Sequence, residues 1–584
     1  MKIKKITLIL LAMLLLICSL STISAANNTI SDTSTGGILQ GITDTGTGDT
    51  LYLNPGTYNK TNQDTNIAIN KNITIQGNGP KDTVIIDAQG LSRIFAISSN
   101  RNIIFINITF FNGKSTFGAA ISASNSNNTL LTFINCSFIN NSASSSYGGG
   151  IYCEYANLTI INSTFINNTA KVGSAIHSYG THDSSIINST FINNYIPLGS
   201  SGGGTINIMA ANNFTISDSV FINNSGDSWG GSITAINTNN LTINNCNFIN
   251  NSATYGGAID LDRTNNTLIN NCEFFDNNAS YGGGIYAENG NNLTIISSNF
   301  TNNSGNNGAA IYNHVNSNST TIENNTIVDN NGTGILNRGY NTTISGNNIT
   351  NNNGNGITNT GNANIENNII YGNIDNGVNN GGNATIRDND ITNNGNALNN
   401  TGYLGGSNNT NRHQTSLLMT TIILSNKVTI TVTATDNKGN PIINRIINFY
   451  VNGELVGTAT TNSNGIAQFT YTATQSGTYN ILATIDNFTI ETNPILTEIY
   501  SESNISENIL IKINDEREIP TPTPNPTPTP KKPKNPDSPN PKNDPNKTSN
   551  KPVATAAMKE TGIPINLILL VLLSCLGIII RKKQ

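Results

Sequence analysis

One recurring pattern constrains the fold of this chain more than any other feature: an apolar anchor residue is followed three positions later by an asparagine. The anchors are Phe138, Phe165, Phe191, Phe221, Phe248, Phe274, Phe300, Ile327, Ile349, Ile370 and Ile391. The asparagines are Asn141, Asn168, Asn194, Asn224, Asn251, Asn277, Asn303, Asn330, Asn352, Asn373 and Asn394. Successive phenylalanine anchors are 26, 27 or 30 residues apart and successive isoleucine anchors 21 or 22, so the pattern survives a change of repeat length.

Repeats of this length, built from short alternating runs such as "LTIINSTF", predict an all-β solenoid. The leucine frame of leucine-rich repeats is missing. An asparagine at the same turn of every coil can donate its amide to the asparagine of the next coil, about 4.8 Å away, which favours a parallel β-helix. We predict a right-handed parallel β-helix of about fourteen coils over residues 48–411, with residues 27–47 as its N-terminal cap.

The hexapeptide "YGGGIY" occurs at residues 147–152 and again at 281–286. Its glycines permit a tight bend before a strand. Alternate side chains of a strand face opposite sides, so the isoleucine is predicted to point into the core and the second tyrosine outward.

Counting from the inward isoleucine of each such strand defines two predicted columns of outward side chains. The residues three positions after the isoleucine are Glu154, Tyr179, Met209, Ile236, Asp262, Glu288, His314 and Arg338. The residues one position after it are Tyr152, His177, Asn207, Thr234, Asp260, Tyr286, Tyr312 and Leu336. Aromatic rings stack on the apolar faces of sugars, while carboxylates bind hydroxyl groups. The predicted ligand-binding residues are Asp260, Asp262, Tyr286, Glu288, Tyr312, His314 and Arg338.

Three functional interpretations of these columns compete with an ordinary solvated face. The columns could contact carbohydrate without reaction. Asp262, Glu288 and His314 could be catalytic, since carboxylates about 5 Å apart are typical of retaining glycosidases. Asp260, Asp262 and Glu288 could instead hold Ca²⁺. No other cofactor is expected, and no CxxC metal-binding pattern occurs.

Residues 417–492 lose the repeat and contain longer alternating runs separated by turns such as "DNKGNP" and "VNGE". This pattern predicts a seven-stranded sandwich that acts as a rigid spacer. Its "TDNKGNPI…FYVNG…TTNSNGIAQFTY" run resembles the bacterial Ig-like modules of invasin-type surface proteins. Residues 493–519 are expected to form a spacer.

Both ends of the chain carry membrane-directed sequence. Residues 1–26 combine lysines, an apolar run and small residues, as in a secretory signal peptide. Residues 563–580 are long enough to cross a bilayer, and the basic residues 581–584 favour a cytoplasmic end. The Pro-rich segment 520–552 is predicted to remain extended and to span a cell wall, where its lysines could contact an anionic wall polymer.

Four cysteines lie between the predicted signal peptide and the predicted anchor: Cys136, Cys153, Cys246 and Cys272. Cys136, Cys246 and Cys272 precede a phenylalanine anchor by two positions, where other coils carry serine, so inert core thiols are one expectation. Cys246 and Cys272 lie one coil apart, so a disulfide between them is the other. Many Asn-x-Ser/Thr sequons predict a glycoprotein if the chain is secreted.

The signal sequence, the "GDTLYLNPGTYN…ITIQGNG…VIIDAQG" opening, the FxNN…GGGIY coils and the C-terminal apolar segment resemble the adhesin-like surface proteins of methanogenic archaea. Their repeat domain is related to the pectate-lyase-type β-helices. The resemblance implies a cell-surface protein, anchored by its C-terminus, that binds carbohydrate or other ligands on a host or neighbouring cell. A membrane-tethered polysaccharide lyase or glycoside hydrolase and a structural surface-layer component remain alternatives. Between residues 131 and 405 fifteen acidic residues outnumber four basic ones, which argues against nucleic acid as a partner.

Overall fold

Each coil of the N-terminal module consists of three short strands separated by corners, and equivalent strands of successive coils pair in parallel to form three long sheets. The structure, a computed structural model, describes residues 27–59 and 64–513. The predicted signal peptide 1–26, the Pro-rich segment 520–552, the apolar segment 563–580 and the basic tail 581–584 lie outside these residues. Within the two described ranges, no helix has the length and apolar character needed to span a membrane.

The three sheets are named A, B and C in the order in which a coil visits them. Sheet A contains Asn28–Ile30, Thr50–Leu53, Ile73–Gly77, Asn102–Ile106, Leu130–Ile134, Asn157–Ile161, Ser185–Ile187, Asn212–Ser217, Asn239–Asn244, Asn265–Asn270, Asn291–Ile296, Thr321–Glu323, Thr342–Ser345, Asn362–Glu366, Asn383–Arg387 and Tyr403–Ser407. Sheet B contains Gly56–Asn59, Val84–Asp87, Thr109–Phe111, Ser137–Ile139, Thr164–Ile166, Thr190–Ile192, Val220–Ile222, Asn247–Ile249, Glu273–Phe275, Asn299–Thr301, Thr326–Val328, Asn348–Thr350, Ile369–Tyr371, Asp390–Thr392 and Asn409–His413. Sheet C contains Ile67–Ile69, Phe95–Ile97, Ile121–Ala123, Ile151–Glu154, Ile176–Tyr179, Ile206–Met209, Ile233–Ile236, Ile259–Asp262, Ile285–Glu288, Ile311–Asn313, Ile335–Asn337, Ile357–Asn359, Asn376–Asn380 and Asn396–Asn400. This arrangement is the predicted parallel β-helix.

The core of the β-helix is a continuous column of buried isoleucine, leucine and phenylalanine side chains. The phenylalanine anchors of sheet B stack with their neighbours: ring centroids of successive anchors from Phe138 to Phe300 are 4.5–4.9 Å apart. These rings, from Phe138 to Phe300, are fully buried, and the isoleucine anchors that continue the column are equally buried. Offset stacking of this kind stabilises beyond the area it buries, by about 0.5–1.5 kcal/mol per pair.

The eleven asparagines that follow the anchors form one continuous buried ladder at the corner after sheet B. In every step from Asn141 to Asn394, the side-chain Nδ2 donates to Oδ1 of the next asparagine at 2.8–3.1 Å. The backbone N–H of each donor residue donates to the same oxygen, as Asn141 N does to Asn168 Oδ1 at 3.0 Å. The amides therefore satisfy the polar groups of a corner that is closed to water.

The shorter coils after residue 320 carry a buried asparagine ladder at each of the other two corners as well. One runs from Asn325 to Asn409 at the corner between sheets A and B. The other begins one coil earlier, at Asn313, and runs at the corner between sheets C and A through the buried Asn337, Asn359 and Asn380 to the exposed Asn400. In the longer coils the A–B corner holds Ser163, Ser189 or Ser219 instead, each with its hydroxyl accepting from the previous coil.

The cysteines at this corner are buried free thiols, as is Cys153. The disulfide expected between Cys246 and Cys272 is not formed. Each thiol donates to a backbone carbonyl two residues earlier, Cys246 Sγ to Asn244 O and Cys272 Sγ to Asn270 O, both at 3.4 Å. Stacking in the same orientation spaces such side chains by the strand separation of about 4.8 Å, well beyond a sulfur–sulfur bond.

The N-terminal end of the β-helix is covered by helix Gly37–Asp44, which buries Ile38 and Ile42 over the first coil. Asp64 holds this helix in place by accepting from Ile38 N at 2.6 Å and Asn59 N at 3.0 Å. Burial raises the pKa of Asp64 to about 6 in spite of these two hydrogen bonds. The short 3₁₀ helix Lys81–Thr83 lies in the second coil.

Two further pairs of short strands lie between sheets B and C: Ser142–Tyr147 pairs with Thr169–Val172, and Asn278–Tyr281 pairs with Ser304–Asn307.

The second module is a sandwich with its own buried core. One of its sheets contains Thr415–Leu424, Lys427–Asp436 and Ile466–Thr472; the other contains Glu454–Thr460, Ile446–Val451, Gly477–Ile485 and Ser503–Ile511.

The folded part extends beyond the expected boundary at residue 492, so residues 493–519 do not begin as a spacer. Ser503–Ile511 is an edge strand of the sandwich and buries Ile509 and Ile511. A hairpin of Phe488–Asn493 and Leu496–Tyr500 precedes it. This hairpin was missed because its few apolar residues are interrupted by polar ones and by Pro494.

The hairpin joins the two modules through a shared sheet. Its strand Leu496–Tyr500 pairs in parallel with Asn409–His413, the last β-helix strand of sheet B. Glu498 Oε2 lies 2.5 Å from His413 Nε2 and accepts from Asn411 Nδ2 at 2.6 Å, and the His413 ring stacks on Tyr500. The hairpin therefore covers the C-terminal edge of sheet B.

Candidate functional site

An open groove of about 510 Å³ lies on the outer side of sheet C, within the longer coils. Its lining residues are Trp229, Tyr255, Tyr281, Tyr286, Glu288, Tyr312, His314 and Arg338. Five of the eight are aromatic rings, and three can carry charge. The groove takes its residues from three parallel rows that run from coil to coil.

Two of these rows are the columns that the sequence places on the outer face of sheet C. In the first, Glu154, Tyr179, Met209, Ile236, Asp262 and Glu288 pair directly from strand to strand. His314 and Arg338 continue that row just after their strands end. In the second, Tyr152, His177, Asn207, Thr234, Asp260, Tyr286, Tyr312 and Leu336 pair in one unbroken register.

The third row was missed by the reasoning from sequence. Trp229, Tyr255 and Tyr281 lie on the arms that connect sheet B to sheet C, where isolated parallel bridges align them from coil to coil. The rings of Tyr255 and Tyr281 stack at 4.9 Å, and Tyr255 lies 5.2 Å from Tyr286. The signal for this row is the aromatic residue directly before each glycine pair, in "WGGSI", "YGGAI" and "YGGGI".

The arms cover the second row, so its side chains are far less exposed than an outward column suggests. Asp260 is only 1% exposed, and its Oδ1 has no hydrogen-bond partner among the described residues. Burial raises the pKa of Asp260 well above its usual range, with Glu288 and Asp262 adding to the effect. Asp260 does not line the groove, so its expected role as a ligand-binding residue is corrected to that of a buried carboxyl group.

Tyr286 and Tyr312 are also largely covered, yet each borders the groove. The Tyr286 hydroxyl donates to Glu288 Oε2 at 3.1 Å, and Arg338 Nη1 donates to the Tyr312 hydroxyl at 3.0 Å. Burial raises the pKa of Tyr286, as does the neighbouring Glu288 carboxylate, so the hydroxyl remains a donor at neutral pH. The two tyrosines thus fix the charged ends of Glu288 and Arg338 at the groove.

His314 lies beside Glu288, with 3.9 Å between Nδ1 and Glu288 Oε2. Burial lowers the pKa of His314, and Arg338 lowers it further, while Glu288 opposes both effects. The imidazole is therefore neutral at neutral pH and adds no positive charge to the groove. Its Nδ1 has no hydrogen-bond partner among the described residues.

The expected catalytic set of Asp262, Glu288 and His314 is divided by the structure. Glu288 and His314 face the groove, but Asp262 is not part of its lining. Arg263 Nη2 lies 2.5 Å from Asp262 Oδ2, and Asn289 Nδ2 donates to Asp262 Oδ1 at 3.1 Å. In the part of the chain that the structure describes, no three His, Cys, Asp or Glu side chains form a group that could hold a metal ion. The carboxylates expected to bind Ca²⁺ are therefore held by protein partners or buried instead.

Comparison with known proteins agrees with the fold. Residues 149–319 and 257–415 match the family "Right handed beta helix region", and residues 425–497 match "Bacterial Ig-like domain (group 1)". The chain is thus a right-handed parallel β-helix followed by a bacterial Ig-like module. No curated protein sequence matches it significantly.

Solved structures with a similar fold include a surface adhesin and β-helix enzymes. The surface adhesin PfbA of Streptococcus pneumoniae is 13% identical, covers 65% of this chain and 93% of its own, and superposes with a TM-score of 0.37. The A-module of mannuronan C-5 epimerase AlgE6 from Azotobacter vinelandii is 15% identical, with 62% and 89% coverage and a TM-score of 0.31. The catalytic domain of an α-1,3-glucanase is 13% identical, with 66% and 69% coverage and a TM-score of 0.36. At these values the likeness is one of fold alone.

Proposed function

We propose that this chain is a cell-surface protein whose β-helix binds carbohydrate in the aromatic groove. The observation that carries the proposal is the groove itself, an open channel with the aligned, partly exposed rings of Trp229, Tyr255 and Tyr281 along one side. Rings arranged in this way can stack on the apolar faces of successive sugars, and the open shape admits a chain rather than a small enclosed molecule.

The polar groups at the groove suit hydroxyl recognition. Glu288 is held by Tyr286 and has further oxygen lone pairs free to accept from sugar hydroxyls. Arg338 is held by Tyr312 and has donors left for a sugar oxygen. Because the Glu288 carboxylate and the Arg338 guanidinium are already held in place, binding a sugar does not require them to become ordered, which lowers the entropic cost of binding.

Display at the cell surface is the second part of the proposal. It is supported by the signal-like residues 1–26, the Pro-rich residues 520–552 and the apolar residues 563–580, and by the resemblance to adhesin-like surface proteins of methanogenic archaea. The lysines of the Pro-rich segment would contact the wall polymer of the same cell. Many copies on one surface would convert weak contacts with a host or neighbouring cell into firm attachment.

A membrane-tethered lyase or hydrolase is the second possibility, and one observation favours it. Glu288 and the neutral His314 lie side by side at the groove, an arrangement suited to general acid–base chemistry. Under this proposal Glu288 and His314 would act on the bound sugar chain, and Asp262 would not take part.

Both possibilities can be tested on residues 27–513, which lie within one compact unit that contains the two hydrophobic cores. The protein is applied to a glycan array and to soluble polysaccharides, with Trp229→Ala and Tyr281→Ala as groove variants. Each lost ring should weaken binding by about 1 kcal/mol, or roughly fivefold. Tyr371→Ala removes an exposed tyrosine from sheet B and serves as the control.

Retention of a glycan without new ends supports the binding protein. New reducing or unsaturated ends that disappear in Glu288→Gln support the enzyme. Glycan binding that survives both groove variants at the level of the Tyr371→Ala control would contradict the assignment of the groove. Failure to bind any glycan would contradict both possibilities and favour a structural role in the surface layer.

A further inference from the structure

The octapeptide pattern "YGGGIYxE" occurs twice in the chain, at residues 147–154 and 281–288. The second copy supplies Tyr281, Tyr286 and Glu288 to the groove. The first copy places Tyr147, Tyr152 and Glu154 at the corresponding positions of an earlier coil. The chain therefore builds the same constellation of two rings and a carboxylate twice on one face.

In both copies the second tyrosine is largely buried and lies beside the glutamate two residues later. Burial and the neighbouring Glu154 carboxylate raise the pKa of Tyr152, just as burial and Glu288 raise that of Tyr286. Glu154 is fixed further by Ser124 Oγ at 3.1 Å and Asn125 N at 3.0 Å, which both donate to its Oε2.

The coil that follows each copy adds one tyrosine and one histidine, in opposite order. After the first copy the strand carries His177 and then Tyr179; after the second it carries Tyr312 and then His314. His177 is buried beneath Tyr147, with ring centroids 4.8 Å apart, and burial lowers its pKa to about 4. Tyr179 takes the outer position and meets the exposed Tyr155 edge to face at 5.5 Å. The first copy thus presents an additional pair of accessible rings where the second presents a histidine.

The two constellations lie on the same line along the β-helix. Glu154 and Glu288 belong to one unbroken column in which each residue pairs with the next through five coil steps. At about 4.8 Å per step, the two carboxylates are separated by roughly 24 Å along the axis. The four intervening positions are Tyr179, Met209, Ile236 and Asp262, so the surface between the copies is apolar at its centre and carries the Asp262–Arg263 ion pair next to the second copy.

We propose that Tyr147, Tyr152, Glu154, Tyr155 and Tyr179 form a second carbohydrate site, and that one glycan strand binds to this site and to the groove at the same time. The proposal rests on the proposed function of the groove and adds to it a second contact and a direction. The strand runs parallel to the β-helix axis, over Met209, Ile236 and Asp262, which lie between the sites. A glycan long enough to reach both sites gains from the high effective concentration of its second half.

The test uses xylan, β-glucan and homogalacturonan oligosaccharides sorted by length from disaccharide to decasaccharide, with binding measured by calorimetry. The variant Tyr147→Ala/Tyr179→Ala removes rings from the second site, Trp229→Ala/Tyr281→Ala removes rings from the groove, and Tyr371→Ala is the control. For wild type, the affinity should rise by roughly a hundredfold or more once the oligosaccharide spans both sites. Either double variant should abolish that rise and halve the molar ratio at which short oligosaccharides bind.

The outcomes separate the two proposals. If the groove double variant loses binding while Tyr147→Ala/Tyr179→Ala binds long oligosaccharides as wild type does, the second site is wrong and the groove stands. If the affinity of the wild-type protein does not change with oligosaccharide length, the proposal that one strand bridges the two sites is wrong. If no oligosaccharide of any length binds, both proposals fail.

Discussion

Replacing Asn251 by alanine would interrupt the buried ladder near its middle. Asn251 Oδ1 accepts from Asn224 N at 2.9 Å and from Asn224 Nδ2 at 3.1 Å. Its Nδ2 donates to Asn277 Oδ1 at 3.0 Å and to Phe221 O at 3.1 Å. Alanine removes all four hydrogen bonds, whereas the backbone bond from Asn251 N to Asn277 Oδ1 can remain.

The loss should be large because Asn224 and Asn251 are completely buried. The backbone N–H and the side-chain Nδ2 of Asn224 both lose their acceptor, with no water to replace it, and Phe221 O loses a donor. A buried polar group left without its partner costs about 1–3 kcal/mol, so three such groups near the low end of that range and the small cavity should lower the free energy of unfolding by about 3–5 kcal/mol. The control, Asn270→Ala, removes a half-exposed amide that donates to Asn244 Oδ1 on the outer surface of sheet A, and should cost less than about 1 kcal/mol.

The measurement is urea denaturation followed by tryptophan fluorescence. Trp229 is the only tryptophan of the chain and lies between Asn224 and Asn251 in sequence, so it reports on the affected coils. Circular dichroism of the same samples shows whether strand structure is lost at the same urea concentration as the change in tryptophan fluorescence. A destabilisation of Asn251→Ala no greater than that of Asn270→Ala would refute the view that the buried amides hold the coils in register.

Three further predictions concern other buried groups. Gly256→Ala should lower the melting temperature more than Gly453→Ala. Both glycines have a positive φ, but a Cβ added at Gly256 would lie 2.1 Å from Ile259 O, whereas one added at Gly453 meets no atom within 4 Å; equal shifts would contradict this. Asp260→Asn should raise the free energy of unfolding at neutral pH, where the wild-type carboxyl is deprotonated in the unfolded chain but has a raised pKa in the folded protein. The gain should shrink as the pH falls toward about 4, because the carboxyl is then protonated in both states. A gain that does not vary with pH would exclude this cause. The four buried thiols should resist iodoacetamide in the native protein and react after unfolding, as measured by mass spectrometry; they are Cys136, Cys153, Cys246 and Cys272. A disulfide-linked peptide containing Cys246 and Cys272 would contradict their assignment as free thiols.

The repeat of the β-helix could be predicted because its signal lies in residues that recur once per coil. Phe138 and Asn141, with their equivalents, are inward-facing positions whose neighbours are the same residues of the adjacent coils, so local sequence determines their surroundings. The same logic covers the pairing of Asp262 with Glu288 in sheet C.

The candidate site was predicted only in part because its exposure depends on segments of variable length. Asp260 has the pattern of an outward residue, yet it is almost completely buried, with Gly256 of the arm packed against its backbone. Trp229, Tyr255 and Tyr281 do not belong to any strand of sheets A, B or C, so strand alternation assigns them no direction. The hairpin Phe488–Tyr500 was missed for a related reason: its partner strand, Asn409–His413, is distant in sequence and belongs to the other module.

The buried amide ladder joins each coil to the next, whatever the number of residues between the two asparagines. Asn194 and Asn224 bond across an interval of 30 residues as well as Asn373 and Asn394 do across 21. The extra length before Asn224 is accommodated in the arm around Leu198, which is 93% exposed. Insertions and deletions in the arms can therefore reshape the outer surface around the groove while the scaffold stays intact, which makes this architecture highly evolvable.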